Sequence, residues 1–508
     1  MNQLKMGLTT AIICACALLS ASVAWGQGII TGNLAGTMQD VTGAVIPGAK
    51  ITLTKPDTNT VFNATSGSNG NFSLNDLPIG IYNVKFEAPG FSTLTLQNVH
   101  VDSNKTTDLG PQKLTTGTAT TTVEVNANQA LLETTQSQLS TTFDTQQVAN
   151  LPTFGGFDEL TLLIPGVVAT HANNFSNTNG TGFSSNGQRG RSNNFEIDGQ
   201  SNNDNSVAGP QFFFSNEEAI DQVQVITNNF SAAYGRNMGS VVNYVTKAGS
   251  NSYHGSAFYR YSGDFTSSLQ TGTSKGANFG FCAPGEDITD GCTVPVVPRY
   301  VSNVYGGNMT APIWKDRIFA SGGVYGSRFF ENGGTTSSGT KMVLTPAGLA
   351  TLTSTFPNNN GVAILNQLNP FKLQGNPRAT GTPVNKTITD GVTTVSVPFT
   401  QIARNFPSSS LDQEYLGRLD FNLTSHDRLD GRYIYQKNPT IPDNATAAGG
   451  TVNVTGITHS IGADWIHTFS PRWINQLRYS FQQSTIAFDG GDFANCTITM
   501  FTATFDAG

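Results

Sequence analysis

NNFSAAYGRNMGSVVNYVTKAGSNSYHG, residues 228–255, is a glycine-punctuated segment that leads directly into the alternating run SAFYRYS at residues 256–262. One side of this extended run carries aromatic and small residues: Tyr253, Gly255, Ala257, Tyr259 and Tyr261. The other side is polar apart from Phe258: His254, Ser256, Arg260 and Ser262. Side chains alternate along a strand, and a strand between lipid and a polar lumen needs this pattern. The segment therefore predicts a membrane β-barrel strand.

Two hairpins nearer the C-terminal end repeat the alternation. One joins residues 415–423 to 428–435, and the other joins residues 460–469 to 473–481. Each strand is predicted at about ten residues, the length that a tilted strand needs to cross a bilayer. Charged side chains on the second face of nearly every strand favour a barrel over a soluble sandwich, which would also alternate.

The connections between the predicted strands are unequal in length. The turns at Ser425 and Ser470 are tight, whereas residues 262–299, 328–411 and 437–459 form long polar stretches. Short periplasmic turns and long external loops are typical of outer-membrane barrels. Four aromatic residues are candidates for belts at the membrane surfaces: Tyr435, Trp465, Trp473 and Tyr479.

Composition excludes several classes of protein. Charged residues are 12% of the chain and the net charge is −7, so there is no basic patch for nucleic acid. No apolar run of 18 residues follows the N-terminus, and no mature transmembrane helix is expected. None of the six histidines forms an H-x-x-E or H-E-x-x-H motif, and Walker A is absent. We expect no enzyme activity, no metal site and no cofactor.

The N-terminus has the features of a secretory signal peptide over residues 1–26. Lys5 supplies the positive charge, and Leu8 to Val23 is mostly apolar and ends in small residues. Export brings the mature cysteines into an oxidising compartment. Cys282 and Cys292 flank the acidic loop APGEDITDG, where we predict a local disulfide, with two unpaired loop cysteines as the alternative.

Between the signal and the barrel the chain divides into three parts. Residues 28–113 alternate short strand patterns with turn signals and predict a small antiparallel β-sandwich. Residues 114–128 are a Thr-rich linker that ends near Val123-Glu124-Val125. This short extended segment either adds a strand to a partner's sheet or is an ordinary edge strand. Residues 129–249 read as a mixed, glycine-rich α+β unit, and residues 250–508 as the barrel strands.

Several of these segments resemble TonB-dependent outer-membrane receptors of the Oar-like group. The resemblance at the plug-to-barrel junction is carried by YGR at 234–236, by G-x-V-x-N-x-x-T-K-x-G at 239–249, and by HG at 254–255. Residues 28–113 resemble the carboxypeptidase regulatory-like domain, a sandwich of the carbohydrate-binding-like class, through their Gly43, Ile46-Pro47-Gly48-Ala49 and Gly80-x-Tyr82. In that fold a spacer or docking role is the alternative to binding a carbohydrate.

The resemblance assigns roles to further residues. It makes residues 129–249 a plug domain, in which Arg189 and Arg191 lie on a strand that ends at Asp198-Gly199. Arg189, Arg191 and Arg236 are then expected to pair with acidic residues of the wall or plug, or else to bind a ligand. The resemblance also makes Val123, Glu124 and Val125 the contact with a TonB-type energy-coupling protein.

The resemblance implies energised uptake of an external ligand across the outer membrane, with the N-terminal domain in the periplasm. The ligand is not encoded in any motif, and oligosaccharides, peptides and metal chelates are candidates. The family's barrel has about 22 strands, whereas the part after the plug suffices for about six to eight, so we expect a fragment of a longer protein. The alternative is a surface protein for adhesion or carbohydrate binding, which needs no plug movement.

Overall fold

The computed structural model describes most of the chain after the N-terminal 29 residues. The described residues are 30–117, 123–126, 137–151, 157–169, 182–204, 209, 215–231, 234–235, 237–263, 299–336, 341–367, 378–379, 382–389, 391–403, 405–424, 426–439, 452–470, 473–490 and 496–507. The predicted signal peptide lies outside them, as do Cys282 and Cys292. Within the described part, no helix is long and apolar enough to cross a membrane.

The N-terminal unit is a β-sandwich. Its strands are β1 (Gly32–Asp40), β2 (Lys50–Lys55), β3 (Thr60–Thr65), β4 (Asn71–Leu77), β5 (Gly80–Glu87), β6 (Leu94–Val101), β7 (Thr106–Leu114) and β8 (Val123–Asn126). One sheet has the order β4-β1-β7 and the other β3-β2-β5-β6-β8. Tyr82, Val84 and Phe86 alternate into the core between the sheets, as the sequence pattern predicts.

The second unit is built on one mixed sheet. Its strands are β9 (Leu139–Asp144), β10 (Val167–Ala169), β11 (Phe183–Ser185), β12 (Asn194–Ile197), β13 (Gln200–Ser201), β14 (Ile220–Asn228) and β15 (Val241–Thr246). Five of them form the sheet β13-β12-β15-β14-β9. A short helix spans Thr145–Asn150 and begins with a capping box between Asp144 and Gln147, which satisfies free backbone N–H groups.

The third unit is an eight-stranded antiparallel sheet, hereafter the wall. Its strands, with the labels continuing along the chain, are β16 (His254–Gly263), β17 (Arg299–Trp314), β18 (Ile318–Thr336), β23 (Asn405–Asn422), β24 (Asp427–Pro439), β25 (Val452–Ser470), β26 (Trp473–Gly490) and β27 (Cys496–Ala507). They pair in this order, each with the next. Eight strands agree with the predicted six to eight, and the fold is mainly β, with a sandwich, an α+β unit and an unclosed barrel sheet.

The two faces of the wall differ as the alternation predicts. On β23, Glu414 and Arg418 are buried on the inner face, whereas Tyr415 and Leu419 are exposed on the outer face. The outer face continues with exposed large side chains on the neighbouring strands: Tyr259, Tyr305, Val324, Tyr433, Ile461, Trp465, Trp473 and Tyr479. The apolar surface therefore faces away from the second unit, and the polar surface faces it.

The strands are longer than the predicted ten residues. β18 and β25 have 19 residues each, and β23 and β26 have 18 each. An antiparallel ladder continues for as long as backbone groups on both strands can pair, with or without a lipid-facing side chain. The apolar alternation therefore marks only part of each strand, and a prediction from that alternation underestimates its length.

The stretch 328–411, predicted as a polar loop, contains a small folded module. The module has strands β19 (Lys341–Leu344), β20 (Arg378–Ala379), β21 (Val384–Thr389) and β22 (Thr394–Ala403) and helices Pro346–Thr355 and Asn360–Gln367. Its own apolar core comprises Leu344, Leu352, Phe356, Val362 and Val397. The loop prediction was wrong because these few apolar residues are dispersed among many Thr, Asn and Gly residues.

The sandwich lies against the end of the wall that carries the short turns. The Asn59 side chain donates to Asp316 in the β17–β18 turn at 3.1 Å, and the Asn251 backbone N–H donates to Asp57 O at 2.7 Å. Asp76 forms an ion pair of 3.5 Å with Arg428, near the β23–β24 turn. The sandwich, the second unit and the wall thus form one contiguous structure.

Candidate functional site

The second unit contacts the wall through a tight Asp-Gly turn. Asp198 and Gly199 connect β12 to β13, and both have positive φ, 50° and 68°. Positive φ at both central residues is the geometry of a type I′ hairpin turn, for which Asp-Gly is a preferred sequence. The turn presents the Asp198 carboxylate to the inner face of the wall.

Asp198 is 4% exposed, and its carboxylate is held from both sides. From its own unit, Thr246 donates its backbone N–H at 2.8 Å and its hydroxyl at 2.9 Å. From the wall, Arg432 donates to Oδ2, and the Arg418 guanidinium lies 3.5 Å from Oδ1. One buried carboxylate therefore joins two strands of the wall to the centre of the second unit.

The two wall arginines are themselves fixed by further groups. Arg418 pairs with Asp420 at 2.8 Å and with Asp430 at 3.8 Å, and Arg432 donates to Gln200 Oε1 at 2.9 Å. Buried ion pairs recover about as much free energy as their desolvation costs, so their main effect is on specificity of placement. The network can orient the unit in the wall without binding it irreversibly.

Uncharged groups next to this network also bridge the two units. Gln200 packs onto Gly462 of the wall, where a Cβ atom would lie 2.3 Å from its amide oxygen. Gln482 donates to Asn202 Oδ1 at 3.0 Å. Leu416 and Ile434 are inward-facing wall residues that join the apolar core of the second unit. The contact is thus mostly polar, with a small apolar centre.

A second group of contacts lies along residues 215–219. Ser215 donates its backbone N–H to Glu414 at 2.9 Å, and Asn216 donates to Gly307 O at 3.1 Å. Arg260 on the first wall strand makes two hydrogen bonds to Glu217, of 2.8 and 2.5 Å. Because water can replace such polar partners, this surface can separate without exposing a large apolar area.

The sandwich is attached to the second unit by residues 102–104, hereafter the clasp. Gln222 on β14 accepts from the Ser103 backbone N–H at 3.2 Å and donates to Asp102 Oδ1 at 2.9 Å. Gln224 donates to Ser103 O, and Asn104 donates to the Tyr234 hydroxyl at 2.8 Å. Ser103 and Gln224 are fully buried, so water is excluded from the bond between them, whereas the Asp102 side chain is 32% exposed.

A pair of opposite charges lies beside the clasp. Burial lowers the pKa of Lys55 on β2, and the Asp221 and Asp57 carboxylates oppose that shift. Burial raises the pKa of Asp221 on β14, and the Lys55 and Lys247 ammonium groups oppose that shift. Each charge is therefore costly to bury and is compensated in part by the charge on the other unit.

The structure places the residues singled out from sequence in different positions. Arg189 and Arg191 are exposed at a 3-10 turn over Gly190–Ser192, and Arg236 lies outside the described residues. Asp198 and Gly199 form the turn at the wall. Val123, Glu124 and Val125 lie in β8, the edge strand of the larger sandwich sheet, paired with β6.

The sequence did not indicate the partners of Asp198 or the residues of the clasp. Arg418 and Arg432 follow the barrel alternation but carry no motif that links them to Asp198, a residue more than 200 positions earlier. Gln222 and Gln224 are two residues apart on β14, so they share one face of the strand. That spacing was the available signal, although neutral amides on a strand are too common to indicate an interface.

The three units match three known domain families. Residues 33–115 match the carboxypeptidase regulatory-like domain, and residues 132–242 match the TonB-dependent receptor plug domain. Residues 245–503 match the outer membrane beta barrel domain. The chain belongs to the outer membrane beta barrel domain family, and its second unit is a plug domain seated against the wall. These domains place the protein in the outer membrane.

Individual relatives are transporters and receptors of the outer membrane. The TonB-dependent transporter Oar of Myxococcus xanthus is 26% identical over 333 residues, which are 61% of this chain and 28% of Oar. The outer membrane transporter YddB from Escherichia coli is similar over 72% of this chain and 44% of its own, with 14% identity and a TM-score of 0.42. The siderophore receptor PirA from Acinetobacter baumannii has the same values. The chain thus spans less than half the length of these relatives.

Proposed function

We propose that this protein works as a TonB-dependent receptor that takes up an external ligand through its barrel. The observation that carries the proposal is the buried contact of Asp198 with Arg418 and Arg432, which holds the plug in the wall by ionic and hydrogen bonds. A plug that stays fixed in the wall would be held at least as well by an apolar interface. In a polar contact, by contrast, water can replace the hydrogen-bonding partners. Uptake requires such an exchange.

The energy for plug movement would come from a TonB-type protein that binds at Val123, Glu124 and Val125. These residues lie in a strand at a sheet edge, and an edge strand can accept another strand through its backbone groups. The signal peptide of residues 1–26 would export the chain, and the sandwich would then lie in the periplasm, at the short-turn end of the wall. Arg189, Arg191 and Arg236 are proposed as plug residues that contact the ligand or the wall.

The proposal is tested by a photocrosslinking side chain at Glu124 in the full-length protein, combined with uptake assays on intact cells. A crosslink to the TonB-type protein is expected in energised cells, and uptake of one compound from a panel of ferric chelates, oligosaccharides and peptides should require it. Deletion of residues 123–125 should abolish both. Unchanged uptake after the deletion, or no crosslink, would contradict the proposal.

A further inference from the structure

The strand that carries the proposed partner contact is already part of the sandwich. β8 pairs in parallel with β6 over four residues, with Val123 opposite Leu94, Glu124 opposite Thr95, and Val125 opposite Leu96. β8 ends the sheet order β3-β2-β5-β6-β8, so within the described residues no strand pairs with its outer edge. An incoming strand can therefore add to β8 without displacing it from β6.

The strand that holds β8 leads directly to the clasp. β6 ends at Val101, and the next three residues are those that bond Gln222, Gln224 and Tyr234. Only one residue of sequence separates the end of β6 from Ser103, which is fully buried against the plug. A force on β8 therefore reaches the plug through one strand and a short hydrogen-bonded contact with Ser103 and Gln224 buried at its centre.

Both connections from β8 to the plug end on the same plug strand. Along the chain, β8 leads through residues 127–136 to β9, which pairs with β14. Through the sandwich, β8 leads by way of β6 to Gln222 and Gln224, which are also on β14. In the β9–β14 ladder, Gln222 lies opposite Asp144 and Gln224 opposite Thr142. The sandwich thus provides a second mechanical connection, parallel to the linker.

We propose that the sandwich is the handle through which the coupling protein moves the plug. A strand of that protein adds to the outer edge of β8 while β8 stays on β6, and the load passes through the clasp into β14. This inference rests on the function proposed above, because it assumes that a TonB-type protein binds β8. Breaking a buried hydrogen bond leaves its donor and acceptor without water to replace the partner, so the several bonds of the clasp can bear load together.

The first experiment asks whether β8 stays on β6 when the partner binds. Thr95→Cys and Glu124→Cys, in a full-length protein whose Cys282, Cys292 and Cys496 are replaced by Ser, place two cysteines opposite each other on the paired strands. Paired strands lie within the range of Cα distances that a disulfide spans. The probe is the purified periplasmic domain of a TonB-type protein, and its affinity is measured with and without reductant.

We expect the oxidised protein to bind the probe with an affinity within about twofold of the reduced protein. Loss of binding on oxidation, restored by reductant, would show that β8 must leave β6 and would overturn the inference. If the probe binds neither form nor the parent protein, the proposed function fails instead. The two failures are therefore distinguishable.

The second experiment asks whether the clasp transmits the load. Ser460→Cys places a thiol on the inner face of β25, at a side chain that is fully buried. Maleimide labelling of this thiol in intact cells then reports separation of the plug from the wall. The test variant is Gln222→Ala with Gln224→Ala. The control is Gln112→Ala, whose side chain bonds Leu109 within the sandwich.

In the parent and the control, energised cells should label Ser460→Cys, and a protonophore should prevent it. In the clasp variant, labelling should fall to the protonophore level while the crosslink from position 124 persists. Energised labelling equal to the parent would show that the linker alone is sufficient, and raised labelling with protonophore would show that the clasp only holds the plug in place. Either result overturns the inference, whereas a parent that is never labelled contradicts the proposed function.

Discussion

Asp198 is the residue on which the contact between plug and wall converges. Asp198→Asn removes the charge that two buried arginines share, and breaking a buried ion pair from one side costs about 3–5 kcal/mol. We expect faster amide hydrogen exchange in β15, by about a hundredfold or more, since Thr246 bonds to this carboxylate. Mass spectrometry of the full-length protein in detergent measures it.

The matched control for this substitution is Glu87→Gln in the sandwich. Glu87 also pairs with a cation, Lys85 at 2.6 Å, but both side chains are well exposed, and such pairs contribute about 0–1 kcal/mol. Exchange in β15 should not change. If Asp198→Asn behaved like Glu87→Gln, the carboxylate would not hold the plug.

Gly249, at the junction between plug and wall, has no room for a side chain. A Cβ atom there would lie 2.4 Å from Phe319 Cβ and 2.7 Å from the Ala320 backbone nitrogen on β18. Gly249→Ala should destabilise the folded protein by about 1–3 kcal/mol through overpacking. The measurement is the temperature at which the folded band is lost in unheated gels.

Gly417 on the outer face of β23 provides the comparison, because a Cβ atom added there meets nothing within 4 Å. Gly417→Ala should leave that temperature unchanged or raise it slightly. An equal fall of that temperature in both variants would mean that the change in backbone freedom, and not the contact with β18, causes the destabilisation.

At this scale the resemblance predicted that a strand ends at Asp198-Gly199, but it did not predict the type of turn there or the partners of Asp198. The Asp198-Gly199 dipeptide has a local preference for a type I′ turn, which neighbouring residues reveal. Arg418 and Arg432 belong to two wall strands, and their closeness to Asp198 depends on how the wall packs against the plug. A contact of that kind leaves no local signal in a single chain.

Among the elements, the module of residues 341–403 is predicted to unfold independently of the wall. Leu352→Ala truncates a buried side chain in a core of only a few residues and should cost about 2–5 kcal/mol. Proteases added to intact cells should then cut within the module. The wall should still migrate as a folded band in unheated gels. Ser354→Ala, on the exposed side of the same helix, should leave the module resistant.

If Leu352→Ala also unfolded the wall, the module would be an integral part of the barrel and not an independent unit.

Strand type was predictable at this scale because alternation is a local property, as in Tyr415 to Leu423. The module was not predictable, because Leu352 and Phe356 lie in a Thr-rich stretch whose apolar residues are too few to show a helical or strand period. Their burial depends on the return of the chain in β22, which begins at Thr394.

Across the whole molecule, the charges at Lys55 and Asp221 are predicted to couple the sandwich to the plug. Lys55→Met leaves the Asp221 carboxylate with less compensation for its burial, so the clasp should open more often. Hydrogen exchange at the Ser103 amide, which donates to Gln222, measures the opening. The double variant Lys55→Met with Asp221→Asn should recover most of the protection from exchange that Lys55→Met removes. Additive effects of the two substitutions would contradict the coupling.

The contacts between the sandwich and the turns of the wall also impose an order on biogenesis. Asp316 and Arg428 hold the sandwich from the β17–β18 and β23–β24 hairpins, so their positions exist only after those hairpins have closed. The sandwich precedes them in the chain and has its own core, so it can fold while the later strands are still extended. Its seating on the turns therefore comes late, and a chain in which it is seated has already closed these hairpins.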